Sequence, residues 1–330
     1  MDNTINIFTS NCTRKLALKV VDMINIRRAY SEEDVVLGEC NIEYFKNKEI
    51  TCDYQRSIRR KPVYIFGDTG TENIVELLIM LDAAKRAAPS EIHIVLPCYG
   101  YARQDKKEGK QKRGPIGAKL MADLLSVAAG RKLEGIIVID LHAEAIEGFF
   151  DVPVNHINGT TIFKDALYEL IKHDQESYII ASPDAGGKQR ATRIAKKLNI
   201  EIVGMDKTRV KPGEVADISL VGDVSGKNII IVDDMVDSGG TLIKAADYLI
   251  AEKKALSVQA VCTHPYLTSD AVEKIVSAKN LSSLMISDTV QHGKNINGIE
   301  KIKVVSSATI LSKIIGGVLT KGTSMNAVNS

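Results

Sequence analysis

The densest run of chemistry-bearing residues is IIIVDDMVDSGGT, positions 229–241. An apolar stretch passes into paired acids, then into a Ser-Gly-Gly-Thr turn that opens a helical pattern over 241–253. Successive backbone N–H groups at such a turn, backed by the positive end of a helix, make an anion site of phosphate size. Carboxylates repel phosphate, so Asp233 and Asp234 cannot share that task. They can accept hydrogen bonds from sugar hydroxyls or hold a metal ion. A phosphate cradle beside paired acids is the donor set for a phosphorylated sugar. Two acids that merely cap a helix are the plainer alternative.

Other apolar runs end the same way. Val63–Phe66 leads into Gly67-Asp68, Ile136–Ile139 into Asp140-Leu141-His142, and Tyr178–Ala181 into Ser182-Pro183-Asp184. Ligands of open parallel sheets bind beyond the carboxyl ends of strands, so acids or His at these ends are expected to share one site.

The elements that must position these groups are short β-branched strands alternating with amphipathic helices. Further strands are expected at 92–96, 258–261, 284–286 and 302–305, with helices over 73–86 and 116–129. Apolar strands separated by helices read as parallel sheet covered on both faces, the α/β class. Segments 63–97 and 229–265 follow one plan of strand, Asp/Gly/Thr turn, helix and strand, which suggests two similar domains. The expected division is 1–154 and 155–317, with the last helix able to pack back on the first domain and a frayed tail at 318–330.

Composition excludes several classes. The 330 residues are 45% hydrophobic and 25% charged with a net charge of +2, a globular composition without the basic field that nucleic acid would require. Trp is absent and no 18-residue apolar run occurs, so neither a stacking platform nor a membrane span is expected. Cysteines at 12, 40, 52, 98 and 262 fit neither a disulfide framework nor a CxxC metal site and point to a reducing cytoplasm. Neither a G-x4-G-K-[ST] loop nor a G-x-G-x-x-G turn occurs.

The segment VDDMVDSGGT (232–241) resembles the fingerprint of proteins that bind phosphoribosyl pyrophosphate (PRPP), which have the type I phosphoribosyltransferase fold. With YGYARQD (99–105), PIGAKL (115–120), IDLHAEAIEGFFDVPV (139–154), SPDAGG (182–187) and LVGDVSGK (220–227) in order, the chain resembles the ribose-phosphate pyrophosphokinases. The resemblance implies two phosphoribosyltransferase-like domains and transfer of the diphosphate of MgATP to the 1-hydroxyl of ribose 5-phosphate, giving PRPP and AMP. A catalytically silent associated subunit with the same fold is the alternative. Retention of His142, Asp184, Lys207, Arg209 and the 233–241 loop argues against it.

Residue by residue, the resemblance assigns catalysis to Lys207 and Arg209, which share one side of an extended segment. It assigns ATP to Phe45, Asn47, Lys48, Glu49, Arg103 and Gln104. Ribose 5-phosphate falls to Arg209, Asp233, Asp234, Asp237, Ser238, Gly239, Gly240 and Thr241. Asp184, Ala185, Gly186 and Gly187 form a pyrophosphate loop, and His142 with Asp184 would hold Mg²⁺ on ATP. The segment at 45–50 implies a site completed by an adjacent subunit, hence a homo-oligomer, dimer-based and hexameric by resemblance. The basic stretch 106–113 is expected to act as a lid over the triphosphate. Asn47 and Gly117 depart from the family's usual Asp and Ser or Thr.

Overall fold

A computed structural model describes residues 5–27, 35–107, 113–184, 186–208, 217–291, 296 and 298–319. The chain divides into two compact units, one comprising residues up to Ile157 together with those from Ser307 onward, the other Asn158–Ser306.

The first unit is built on a parallel sheet of β1 (Ile5–Thr9), β2 (Val35–Leu37), β5 (Pro62–Phe66), β6 (Glu91–Leu96), β7 (Leu133–Ile139) and β8 (Val154–Ile157). Its strand order is β2-β1-β5-β6-β7-β8. A separate hairpin joins β3 (Cys40–Tyr44) to β4 (Ile50–Tyr54). Helices α1 (Arg14–Arg27), α2 (Ile74–Arg86) and α3 (Gly117–Ala129) supply the covering layers. The α2 face Leu77, Met80, Leu81 and Ala84 is fully buried, a 3.6-residue stripe meeting the alternate strand residues Val63 and Ile65. Burying one such Leu contributes about 1.5–3 kcal/mol. Lys85 and Arg86 end that helix, where cations oppose its dipole.

The second unit repeats the plan. Its strands are β9 (Tyr178–Ser182), β10 (Glu201–Thr208), β11 (Asp217–Val221), β12 (Asn228–Val236), β13 (Ser257–Pro265), β14 (Ser283–Ser287) and β15 (Ile302–Val305). Their order is β11-β10-β9-β12-β13-β14-β15, parallel except for β11 against β10. Helices α4 (Thr160–Ile171), α5 (Lys188–Leu198), α6 (Gly240–Ala251) and α7 (Ala271–Ser277) complete it. The order β2-β1-β5-β6-β7-β8 maps onto β10-β9-β12-β13-β14-β15. The units β5–α2–β6 and β12–α6–β13 are thus the two copies visible in the sequence at 63–97 and 229–265. The order in which strands are added reverses once in each sheet, between the parallel pairs β1 and β5 or β9 and β12, and loops leaving such a pair diverge to open a crevice.

The first break falls three residues after the expected one, between residues 157 and 158, and α8 (Ala308–Leu319) belongs to the first unit, where it packs on α1. Residues 318 and 319 complete α8, while 320–330 lie outside the described residues. Strands β1, β2 and β8, and β11 at the sheet edge, lie beyond what sequence periodicity indicates. Asn, His, Asp or Ser interrupts the apolar residues of β1, β8 and β11, and β2 has only three residues, so none presents a continuous apolar run of four.

His93 on β6 is buried, stacked on Tyr64 with ring centroids 4.6 Å apart. Its Nδ1 has no hydrogen-bond partner among the described residues, and burial lowers its pKa despite Glu91 nearby. Neutral His93 therefore supports the fold above its unfolded pKa of about 6.5, and that support is lost as the pH falls below it. His93→Phe, which keeps the stack, is expected to flatten the fall of the melting midpoint between pH 6.5 and 5. Scanning calorimetry across that range measures it, and an unchanged slope would place the acid sensitivity elsewhere.

Candidate active site

The candidate site lies in the second unit, at the carboxyl ends of β9 and β12. After β9 the chain makes a tight turn. Ser182 Oγ donates to the Asp184 carbonyl (2.7 Å), and the Gly187 N–H donates to Asp184 Oδ1 (2.8 Å). Asp184 thus caps the entrance of α5 and remains exposed to solvent. Ala185 lies outside the described residues.

Asp233 and Asp234 stand within β12, which runs to Val236, rather than beyond its end as the sequence suggests. Pairing with β13 continues through Asp233, Met235 and Val236 and holds this stretch extended. Consecutive strand residues face opposite sides, so the two carboxylates begin on opposite faces of the sheet. The Asp234 N–H donates to Asp233 Oδ1 at 2.9 Å, which turns the Asp233 carboxylate back along the strand. Asp234 is buried and pairs with Arg190 on α5, whose Nη2 lies 3.5 Å from Oδ2. Burial pushes the Asp233 carboxyl well above the ordinary carboxylate range. Asp234 and Asp184 push the same way, and Arg190 opposes them. At Asp233 the fields of two further carboxylates outweigh that of one guanidinium, which favours an added cation. Among the described residues no group of three or more His, Cys, Asp or Glu side chains encloses a metal on its own. A hard cation shared with substrate phosphates suits such a site, because Mg²⁺ is commonly held by one or two carboxylates plus phosphate oxygens.

Beyond β12, Asp237 accepts from Thr268 Oγ1 at 2.5 Å, anchoring the turn to the next loop. Ser238 and Thr241 are exposed. Gly239 adopts φ +76°, and a Cβ there would meet Ile275 Cγ1 at 3.0 Å. The N-cap of α6, Gly239, makes no side-chain cap hydrogen bond to the first turn, as a helix end open to an anion would require. Lys207 lies in β10, opposite Ile218 of β11. Arg209 lies outside the described residues.

The remaining sequence-assigned residues belong to the first unit. Phe45, Asn47, Lys48 and Glu49 form the tip of the β3–β4 hairpin. The Phe45 N–H donates to the Glu49 carbonyl (2.8 Å), Lys48 takes φ +70°, and Asn47 Oδ1 accepts from the Glu49 N–H (3.1 Å). All are exposed, Phe45 by 54%. Arg103 and Gln104 are exposed after a turn in which the Gln104 N–H donates to the Tyr101 carbonyl (2.8 Å). A Cβ on Gly117 would come within 2.6 Å of Gln104 Oε1, so the glycine found there gives that amide its room. In the basic stretch that follows, 108–112 lie outside the described residues.

His142 is exposed on the loop after β7. That loop is fixed from beneath. Asp140 has φ +46°, the Leu141 N–H donates to His156 Nε2 (2.9 Å), and His156 Nδ1 donates to Glu147 (2.7 Å). Asp68 accepts from the Gly70 N–H (2.6 Å) and Asn73 Nδ2 (3.1 Å), a structural turn ahead of α2. Arg190 is the group sequence reasoning missed. It stands six residues after Asp184 on a helix rich in surface basic residues, and only its burial sets it apart.

Two doubly wound units, one ending in a glycine turn beside buried acids, define a protein of the phosphoribosyltransferase fold. Family models match residues 5–130, as the N-terminal domain of ribose phosphate pyrophosphokinase, and 155–296, as a phosphoribosyl transferase domain. The ribose-phosphate pyrophosphokinase of Porphyromonas gingivalis is 38% identical over 95% of this chain and 94% of its own length. That of Bacillus caldolyticus is 39% identical over 91% of each. The crystal structure of phosphoribosylpyrophosphate synthetase from Mycobacterium smegmatis covers 97% of this chain and all of its own, with a TM-score of 0.83 and 29% identity. The chain belongs to the ribose-phosphate pyrophosphokinase family, enzymes of diphosphoryl transfer.

If Asp233 is kept protonated by its surroundings, the neutral isostere is better suited to the ligand-free fold. Asp233→Asn is expected to raise the melting midpoint of the ligand-free protein at pH 8, where a raised carboxyl costs stability, and less at pH 5. A midpoint lowered equally at both values would show the carboxylate to be a structural partner.

Proposed function

We propose that this chain transfers the diphosphate of MgATP to the 1-hydroxyl of ribose 5-phosphate, releasing AMP, at the carboxyl ends of β9 and β12. The observation that carries the reading is the crowding of Asp184 and Asp234 upon Asp233, with Arg190 paired to Asp234, on the strand that leads to the Gly239 turn, in a chain matching a family member over 95% of its length.

In this reading the N-terminal N–H groups of α6, with Ser238, Gly239, Gly240 and Thr241, receive the 5-phosphate. Asp233 and Asp234 accept from ribose hydroxyls, and Arg190 fixes Asp234 in its rotamer. Asp237 holds the turn in register through Thr268. Asp184 and the loop to Gly187 lie against the diphosphate, and Asp184 with His142 would hold Mg²⁺. The ion, when bound, neutralises polyphosphate charge so that the β-phosphorus can be attacked. Lys207 and Arg209 meet the charge that develops as the bond to AMP breaks. Phe45, Asn47, Lys48 and Glu49 contact ATP from an adjacent subunit, and Arg103 and Gln104 contact it from their own. The exposed Phe45 at the hairpin tip supports that homo-oligomeric arrangement. Among the described residues no helix is long and apolar enough to cross a membrane. With the cysteine pattern, this supports a cytoplasmic enzyme.

Incubation with MgATP and ribose 5-phosphate, followed by ³¹P NMR, is expected to show AMP and PRPP; ADP would exclude diphosphoryl transfer. Gly239→Val is doubly disfavoured, by the left-handed backbone and by Ile275, and should raise the KM for ribose 5-phosphate severalfold or more. Unaltered kinetics would show that the turn holds no phosphate.

A group acting on the transition state changes kcat more than affinity. Lys207→Ala should therefore bind MgATP within a few-fold of wild type and lose on the order of 10²–10³ in kcat, roughly 2.7–4 kcal/mol. Lys207→Arg should restore only part of it, because a planar guanidinium presents its charge differently. Titration calorimetry beside steady-state rates reads both. Lost ATP affinity with kcat retained would make Lys207 a ground-state contact.

A further inference from the structure

The β3–β4 hairpin carries two cysteines on one face. In its antiparallel register Cys40 stands opposite Tyr54 and Ile42 opposite Cys52, so Cys40 and Cys52 are diagonal neighbours. Both are half-buried, and with Ile42 and Tyr54 they line the hairpin face packed on the first unit's core. Their sulfurs are 2.8 Å apart, about 0.75 Å beyond the bonded separation of about 2.05 Å. Both cysteines are thiols. The other cysteines lack such a partner geometry. Cys98 and Cys262 are buried, and Cys12, against Ser10, has its thiol pushed up to about 11 by burial.

We propose that Cys40 and Cys52 form a reversible oxidation site, closed to an intrachain disulfide by a hydroperoxide, that staples the β3–β4 hairpin beneath its exposed tip. This goes beyond diphosphoryl transfer and does not depend on it. Three features support the proposal. The side chains already converge, with the two sulfurs in contact at 2.8 Å. Diagonal placement leaves the ladder hydrogen bonds of the hairpin undisturbed. The two thiols are hydrogen-bonded to one another, a contact that lowers the Cys52 pKa and raises that of Cys40, so Cys52 is the nucleophile and Cys40 resolves.

The chemistry balances. The Cys52 thiolate attacks a peroxide oxygen and the O–O bond breaks, giving a Cys52 sulfenic acid and hydroxide. The proton released when the thiolate formed converts that hydroxide to water. The Cys40 sulfur then attacks the Cys52 sulfur, and the Cys40 proton leaves with the sulfenic hydroxyl as a second water. Two thiols lose two electrons and one hydrogen peroxide gains them.

Functionally, the staple lies between the strand that enters the 45–49 tip and the strand that leaves it. Oxidation therefore restrains the segment assigned to ATP without touching any residue of it. Closing the thirteen-residue stretch from Cys40 to Cys52 also restricts the unfolded chain.

The test uses the full chain, reduced, desalted, treated with an equimolar amount of hydrogen peroxide and then alkylated, digested and mapped by mass spectrometry. The expected product is one cross-linked pair of peptides joining Cys40 to Cys52, two hydrogens lighter than the separate peptides and restored by dithiothreitol. The oxidised wild type should melt higher than the reduced form, a shift absent in Cys52→Ala, with Cys40→Ser as a second variant if the first misfolds. Recovery of both cysteines alkylated after peroxide treatment would overturn the proposal. So would conversion of Cys52 to sulfinic acid without a cross-link, or pairing of Cys40 with a different cysteine. Mapping of the wild type needs neither variant.

Discussion

Carboxylates crowded where water is scarce are the constraint around which the second unit is organised. Asp234 is buried against Arg190, and Asp233 lies beside it under pressure from burial, from Asp234 and from Asp184. Left alone, such an arrangement is unfavourable, since removing ionised groups from water costs several kcal/mol each unless they are paired. One guanidinium offsets part of that cost. The rest would be relieved by a cation or by hydrogen-bond donors, which the proposed metal-bound, hydroxyl-rich substrate would supply.

The scaffold explains why this strain can persist. β12 is a central strand, paired on both sides, with Ile229–Val232 almost wholly buried. The acids extend from that rigid stem, so they cannot swing apart. The reversal of strand order between β9 and β12 separates the α5 and α6 entrances, so one turn presents Asp184 and the other the phosphate-sized glycine turn. The first unit repeats this topology, yet its corresponding acid, Asp68, is engaged by its own turn.

Much of this was legible in the sequence because strand, acidic pair, glycine turn and helix follow one another without interruption over 229–241. The βαβ repeat was legible for the same reason: buried parallel strands give continuous apolar runs. What sequence could not supply was tertiary. The ladder with β13 carries β12 past the acids to Val236, which no local propensity for Asp would suggest. Arg190 looks like any other helix-surface arginine until α5 packs on the sheet. Cys40 with Cys52 becomes a pair only through hairpin register.

The claim on which the account depends is that the Asp233 carboxyl is held above its ordinary range until substrate and cation arrive. Selective ¹³C labelling of aspartate with an Asp233→Asn control identifies its signal, and a pH titration by NMR reads its ionisation directly. The account predicts a raised pKa in the ligand-free protein that falls when Mg²⁺ and ribose 5-phosphate are added together. An ordinary carboxylate pKa in the free protein, or a raised one unmoved by both ligands, would contradict it.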